Sequence, residues 1–445
     1  MKISRYFFQM KNALPGLIVM MLLVFAFTFS SCSGPNSSEK KDEVRLQPDA
    51  DNGGIQIPKG FGALVVAENV GEGRKLAIRD NGDIYLSLRQ KNQGGGIAAL
   101  RDTTGDGKAD IIRYFGDYPG DGIEIYHGYL YFSSDTAIMR YKFTSDDELL
   151  PDDNPEIIAR GFPVQHQHQV KPFAFDNENH IYVNVGAPSN ACMEQTRTPG
   201  SPGMDPCPQL ERHAGIWRFD AEKTKQTQEK DGYRYATGIR NAVALAWNYT
   251  TNYLYVVQHG RDQLHQLFPD LYTEDQGVNL PAEEFFLVKD GSDFGWPYCY
   301  YDLQKKKKVL APEYGGDGNK EGICSDKDNP ILAFPAHLAP NDLMFYTGNM
   351  FPQRFKNGAF IAFHGSWNRA PQEQKGYYVV FVPFKNELPE GGWEIFADNF
   401  AKIDKINSPG DAKYRPTGLA QGSDGSVYIT ESNTGKIWRV LYEGK

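Results

Sequence analysis

Residues 81–88 read "NGDIYLSL": a Gly-containing turn, then apolar and aromatic side chains in alternation with small or polar ones. The pattern returns as "HGYLYFSS" (127–134), "ENHIYVNVG" (178–186), "TNYLYVVQHG" (251–260), "NGAFIAFHG" (357–365) and "DGSVYITES" (424–432). Alternation with period two turns successive side chains to opposite faces of a strand. Behind each repeat comes a second strand-like piece: "GIAALRD", "TAIMRYKF", "GIWRFD", "QLHQLFPD", "GYYVVFVPF" and "GKIWRV". No segment after the N-terminal region has the apolar spacing of an amphipathic helix. Six hairpins in order predict an all-β chain folded as a six-bladed β-propeller. Radial packing of blades lets residues 54–445 form one domain, since each blade buries its faces against its neighbours. The stretch "GIQIPKGFGALVVAENV" (54–70) precedes the first hairpin and is expected to complete the last blade, closing the ring.

Composition agrees with this reading. The 445 residues include 27 Phe, 25 Tyr, 45 Gly and 27 Pro, the signature of a turn-rich β protein. The formal charge of −9 argues against a nucleic-acid partner, because phosphate binding needs a basic footprint.

The N-terminus reads as a targeting segment. A positively charged start precedes the apolar run "LPGLIVMMLLVFAFTFS", and "SSCSG" then places Cys32 among small residues. Residues 1–32 thus resemble a bacterial lipoprotein signal ending at a lipidated Cys32; an ordinary signal peptide or an uncleaved anchor are the other readings. Residues 33–53 form a polar tether. The expected location is outside the cytoplasm, with the propeller lipid-anchored on the periplasmic or cell-surface face of a bacterial membrane. Export favours disulfides for the remaining cysteines, and their spacing fits no CxxC site. Local pairing gives Cys192–Cys207 and Cys299–Cys324 as loop staples, the first worth about 3 kcal/mol by loop-closure entropy.

A propeller gathers loops from every blade around one axial mouth. The polar segments at strand ends are therefore the place to look: "HQHQVK" (166–171), "ATGIRNAVALAW" (236–247), "QHGRDQ" (258–263), "PAHLAPND" (335–342), "HGSWNRA" (364–370) and "YRPTGLA" (414–420). Arg240, Arg369 and Arg415 in an acidic chain suggest an anionic ligand, since guanidinium forks match carboxylates. His166 and His168 alternate ahead of "PFAFD" and would share a face if the strand began there, as a metal pair, as a base with a neighbour, or as polar filler at the mouth of the strand. The acidic loop "DTTGDGKAD", with Asp102, Asp106 and Asp110, reads either as a calcium loop or as a tight hairpin turn.

Taken together, "HQVKPFAFDNENHIYVNVGAPSNAC", "TGIRNAVALAW", "DFGWPYCYYD", "PAHLAPNDLMFY", "FIAFHGSWNR" and "YRPTGLAQGSDGSVYIT" resemble the glucose/sorbosone dehydrogenase family, on its sorbosone-dehydrogenase-like branch. These are six-bladed propellers that use pyrroloquinoline quinone (PQQ) and calcium, and the resemblance covers about residues 55–442. It implies His168 as general base, with His166 a neighbour. It implies Arg240 and Asn241 on the quinone carbonyls and the base, and the carbonyls of Gly260 and Arg261 on calcium, with Asp262 supporting that turn. It implies Arg369 and Arg415 on the cofactor carboxylates and His337 as a further cofactor contact.

The chemistry is coherent with these types. Three carboxylates and an ortho-quinone call for several cations, and a neutral imidazole can take the proton of a substrate hydroxyl. The stretch "GDYPGDGIEIYHG" lacks the glutamine with which the glucose-oxidising members contact substrate, so the substrate is expected more broadly to be a sugar or sugar-derived aldehyde. The electron acceptor, a cytochrome or a quinone, is not legible. A calcium-dependent sugar lactonase on the same fold, and a glycan- or protein-binding propeller without catalysis, are the rival readings.

Overall fold

A computed structural model describes residues 46–444. Residues 1–45, and with them Cys32 and most of the expected tether, lie outside the described residues. Six four-stranded antiparallel units are arranged around one axis. In chain order the innermost strands are Gly73–Ile78, Ile123–Tyr126, Phe173–Phe175, Ala244–Asn248, Pro340–Phe345 and Pro416–Gln421, which begin blades 1 to 6. Each of these strands touches the innermost strand of the blade before and after it, which makes the ring.

Five blades take their four antiparallel strands in chain order, and two gain a short parallel edge strand, Gln226–Thr227 on blade 2 and Ser292–Asp293 on blade 3. In blade 6, Pro416–Gln421, Val427–Glu431 and Ile437–Tyr442 come from the C-terminus, and the outermost strand is Phe61–Ala67. Phe61 pairs with Tyr442 and Ala63 with Val440 in antiparallel register. The segment expected to close the ring does so.

The core is distributed rather than central. One apolar cluster fills each of the six interfaces between neighbouring blades. Period-two alternation produces this directly. On His180–Val185, Ile181 and Val183 pack towards blade 2, while Tyr182 packs towards blade 4 against Trp247 at a centroid distance of 5.1 Å. The abundance of Phe and Tyr follows, because wide rings bridge the wedge between twisted sheets.

One expected strand is absent. "QLHQLFPD" forms a single helical turn, Leu264–Leu267, and the next strand of blade 4 is Glu283–Val288. Leu264 and Leu267 are three residues apart, a spacing that turns both inward on a helical turn and not on a strand. Helices among the described residues are otherwise confined to such short turns.

Two long excursions rise on the mouth side. Residues 186–214 join two strands of blade 3. Residues 289–331 leave blade 4, pair in parallel with Tyr233–Thr237 through Ser292–Asp293, and place Trp296 beside Ala187, Ala214 and the Cys192–Cys207 bridge. Both expected disulfides are present, with Cα–Cα distances of 6.2 Å for Cys192–Cys207 and 5.8 Å for Cys299–Cys324. They staple the loops that build the site.

Ring closure concentrates its aromatic packing on one side chain. Phe61 meets Phe351, Phe396 and Phe355 edge-on at 4.8, 5.3 and 5.4 Å, across the interface of blades 5 and 6. Phe61→Ala is expected to cost about 3–5 kcal/mol, the range for emptying a buried ring site, read as a lowered denaturation midpoint. A change below about 1 kcal/mol would show that the closure strand holds without it.

Candidate active site

At the mouth a cavity of about 300 Å³ opens on the propeller axis. Five blades supply its wall: Arg74 and Arg89 from blade 1, Asp135 from blade 2, His168 from the approach to blade 3, Asn241 and His259 from blade 4, and Asn341 and His364 from blade 5. They sit at the starts of innermost strands or in the loops that follow second strands, which all face the same end of the ring.

His168 is held by its backbone and by a carbonyl. It lies in a loop, ahead of Phe173–Phe175, with φ of 53°, so period-two pairing with His166 does not arise. His166 is exposed, whereas His168 lines the cavity. The Gln165 amide donates to the carbonyls of Gln167, His168 and Gly186 and cross-ties the loop. A Cβ on Gly186 would lie 2.6 Å from both His168 Cβ and Asn241 Oδ1, so a glycine is needed for these wall residues to approach. His168 Nδ1 is 2.7 Å from the Ala187 carbonyl. A carbonyl only accepts, so Nδ1 carries the proton and Nε2 keeps its lone pair. Burial, and then the Arg240 charge, push this imidazole down to about 3, so it is a neutral base at pH 7.

The other two mouth histidines are also neutral with fixed tautomers. His259 Nε2 donates to the Pro340 carbonyl at 2.7 Å, which leaves Nδ1 free; burial brings this ring down to about 4. His364 Nδ1 accepts from Arg415 Nη2 at 3.0 Å, so its Nε2 donates to Ser432 Oγ at 2.7 Å. Burial and then Arg415 keep it well below its ordinary value.

Arg240 is buried behind this wall in a closed network. Its guanidinium donates to Asn190 O (3.1 Å), Asn190 Oδ1 (3.0 Å), Gly260 O (2.9 Å) and Asp262 Oδ2 (3.0 Å). Asn190 is the hub, because its side chain also accepts from the Asp262 amide and donates to the Asp262 carbonyl. Burial alone would raise the Asp262 carboxyl, but Arg240 and Arg197 outweigh it and hold the group below the usual range. Arg261 turns the other way, onto the buried Glu313.

Cations gather on the opposite wall. Arg74 is fixed by Asp121 at 2.8 Å, and the second Asp121 oxygen is buried without a partner among the described residues. Arg415, expected on the cofactor carboxylates, lies behind His364 rather than in the cavity lining and reaches the carbonyls of His364 and Gly365 at 3.2 and 2.7 Å. Arg74, Arg89 and Arg415 all bear on His364. Arg74, Arg89, His259 and His364 were given no role in the sequence. Arg74 lies inside "GRKLAI", which reads as an ordinary strand, and its partner is 47 residues away.

Arg369 and His337 occupy a neighbouring buried cluster rather than the cavity wall. Arg369 donates to the carbonyls of Glu373 and Val278 at 3.1 and 3.0 Å, while His337 meets the Gly277 carbonyl and the Asn368 amide, both at 3.1 Å. The 102–110 loop keeps its carboxylates on its own backbone: Asp102 accepts from the amides of Thr104, Gly105 and Gly107, and Asp110 from Thr103. The described residues offer one cluster of potential metal ligands, Asp176, Glu178 and His180, in a hairpin turn away from the mouth. There Asp176 already accepts from two turn amides, the His180 ring and the Tyr182 hydroxyl.

Known proteins share this architecture. The profile of the TrAA12-like family matches residues 55–443. The chain belongs to the TrAA12-like family. Over 213 residues it is 32% identical to an "Uncharacterized protein" of Borreliella burgdorferi, covering 47% of this chain and 48% of that one. Over 274 residues it is 25% identical to the "Pyrroloquinoline quinone-dependent pyranose dehydrogenase" of Coprinopsis cinerea, covering 54% of this chain and 36% of the other. The chain thus spans half or less of the length of these curated relatives. The solved PQQ domain of pyranose dehydrogenase from Coprinopsis cinerea, in its holo form, superposes with a TM-score of 0.68 at 19% identity, covering 87% of this chain and 97% of that one. At this identity the likeness speaks for the fold. The resemblance to PQQ-dependent sugar dehydrogenases read in the sequence is thereby established.

Neutral histidines at the mouth have a pH consequence. An imidazole held at about 4 when folded takes up a proton on unfolding at any pH between that value and its unfolded value of about 6.5. The unfolded chain binds more protons in that window, so stability is full above it and falls as pH drops through it. Relative to wild type, His259→Gln is expected to flatten this fall by up to about 1.4 kcal/mol per pH unit between pH 6.5 and 4. Parallel stability curves for the two proteins would contradict a neutral His259.

Proposed function

We propose that this chain oxidises a sugar or sugar-derived aldehyde, using PQQ held in the mouth cavity and His168 as the general base. The observation that carries the reading is the cavity itself, where a neutral imidazole with a defined lone pair shares the mouth with a group of arginines. The donor set fits a planar polyanion: Arg74 and Arg89 line the cavity and suit carboxylates, Arg415 stands behind them on His364, and Asp121 Oδ1 fixes the aim of Arg74. A cavity of about 300 Å³ is at the small end of the range for cofactor sites. When bound, PQQ would supply the two-electron acceptor.

The protein's own work is orientation and proton transfer. His168 Nε2 accepts the proton of a bound hydroxyl, while Nδ1 stays on the Ala187 carbonyl and keeps the ring from turning. Arg240 and Asn190 brace the turn behind His259, and Asn241 lies beside His168 across Gly186. Calcium is placed less directly. The Gly260 carbonyl already accepts from Arg240 at 2.9 Å, so a calcium ion taking that oxygen would have to displace a guanidinium. For location, the lipoprotein-like signal supports tethering through Cys32, outside the cytoplasm.

His168→Gln is expected to leave PQQ binding nearly unchanged and to lower sugar-dependent dye reduction about 10²–10⁴-fold, the range for a positioned general base. Arg74→Ala is expected to do the reverse and weaken PQQ binding first. Turnover unaffected by His168→Gln, with quinone binding unaffected by Arg74→Ala, would show that the mouth is not a quinone-dependent sugar site.

A further inference from the structure

The axis carries a second cavity, of about 380 Å³, on the face opposite the mouth. The order of residues along the innermost strands places it. Where Arg74 and Asn341 line the mouth, the residues that follow them, Lys75–Ile78 and Asp342–Phe345, line the second cavity. Lys75 and Asp342 are joined by a buried ion pair of 2.5 Å at the level where one cavity gives way to the other. The far opening is rimmed by Thr347, Gln421 and Tyr249, whose ring is 46% exposed.

This cavity has a chemistry unlike the mouth's. Apolar residues, Phe173, Trp247 and Phe345 among them, make about half of its wall, with these rings mostly packed into the blade interfaces. Into it projects Glu124, on the innermost strand of blade 2, whose carboxyl makes no hydrogen bond or ion pair among the described residues. Two carboxyls, Glu124 and Asp342, therefore stand in the cavity with one ammonium, that of Lys75, and the ammonium is already spent on Asp342. The group is one positive charge short of neutral unless Glu124 holds a proton.

We propose that this cavity binds a small organic ammonium ion, with its charge on the Glu124 carboxylate and its carbon substituents against the apolar part of the wall. An unpaired carboxylate in a cavity roomy enough for several carbon atoms, and apolar over about half of its wall, suits an organic ammonium ion. A bare metal cation would need several carboxylate or carbonyl oxygens to replace its hydration shell, and Glu124 offers the one carboxylate here that is not already paired. Without a ligand, burial pushes the Glu124 carboxyl up to about 8; Lys75 works against this, and Asp342 adds to it. The other groups that sense Glu124 are the phenols of Tyr249 and Tyr126. At neutral pH the carboxyl is therefore protonated, and a cation that takes the carboxylate sends that proton to the buffer.

Tetramethylammonium chloride is a suitable probe, because its charge is fixed and any proton released comes from the protein. Calorimetric titration of the whole protein at pH 7, in two buffers of different ionisation enthalpy, should show saturable binding with release of about one proton. Affinity should rise about tenfold per pH unit up to pH 8, and Glu124→Gln should weaken binding at least tenfold. The proposal is overturned if no saturable binding is found, if binding releases no proton, or if Glu124→Gln binds equally well. It is also overturned if potassium chloride at the same concentration produces the same heat and proton release, since the site would then take a bare ion. The wild-type proton count decides the matter even if the variant fails to fold.

Discussion

The antiparallel pairing of Phe61–Ala67 with Ile437–Tyr442 is the constraint on which the molecule depends. A ring of sheets has no central core, so every blade is stabilised only by its two neighbours. Without closure, blade 6 would lose its outer strand and two interfaces would lose an edge. Closure also fixes the radius at which the innermost strands face one another, and hence both axial cavities.

Along the axis the charges are layered. At the mouth, guanidinium groups and neutral imidazoles crowd together, and burial keeps the imidazoles from adding to the positive charge. One residue further along the same strands, Lys75 and Asp342 neutralise each other. Beyond them lies a chamber without arginines and with one unmatched carboxyl. Because position along an innermost strand sets the level on the axis, adjacent residues such as Arg74 and Lys75 serve different chambers.

Much of the fold was legible because its signal is local. Turn residues followed by period-two alternation mark a hairpin within about ten residues, and six such marks in order leave few arrangements. The exception, "QLHQLFPD", is a single helical turn too short to show a period, and the true strand Glu283–Val288 opens with two buried glutamates that disguise it. The site was legible where a motif carries backbone consequences. "HQVK" and "GIRN" flank the cavity, and the two staples join the expected cysteines. Arg74 was missed because its role comes from Asp121, a partner that only the closing of blade 1 on blade 2 brings near. Arg369 and His337 illustrate the converse. Their neighbours in sequence suggest a mouth position, yet their polar atoms are taken up by nearby backbone carbonyls and the Asn368 amide.

The central claim is that the arginine-lined mouth accepts a polyanionic quinone. Titrating the purified protein with PQQ and following the cofactor's absorbance, with calcium present and again with a chelator, tests it most directly. A saturable spectral change is expected in at least one of the two conditions, weakened when Arg74 or Arg89 is replaced by alanine. A spectrum that remains the sum of free PQQ and protein in both conditions would contradict it.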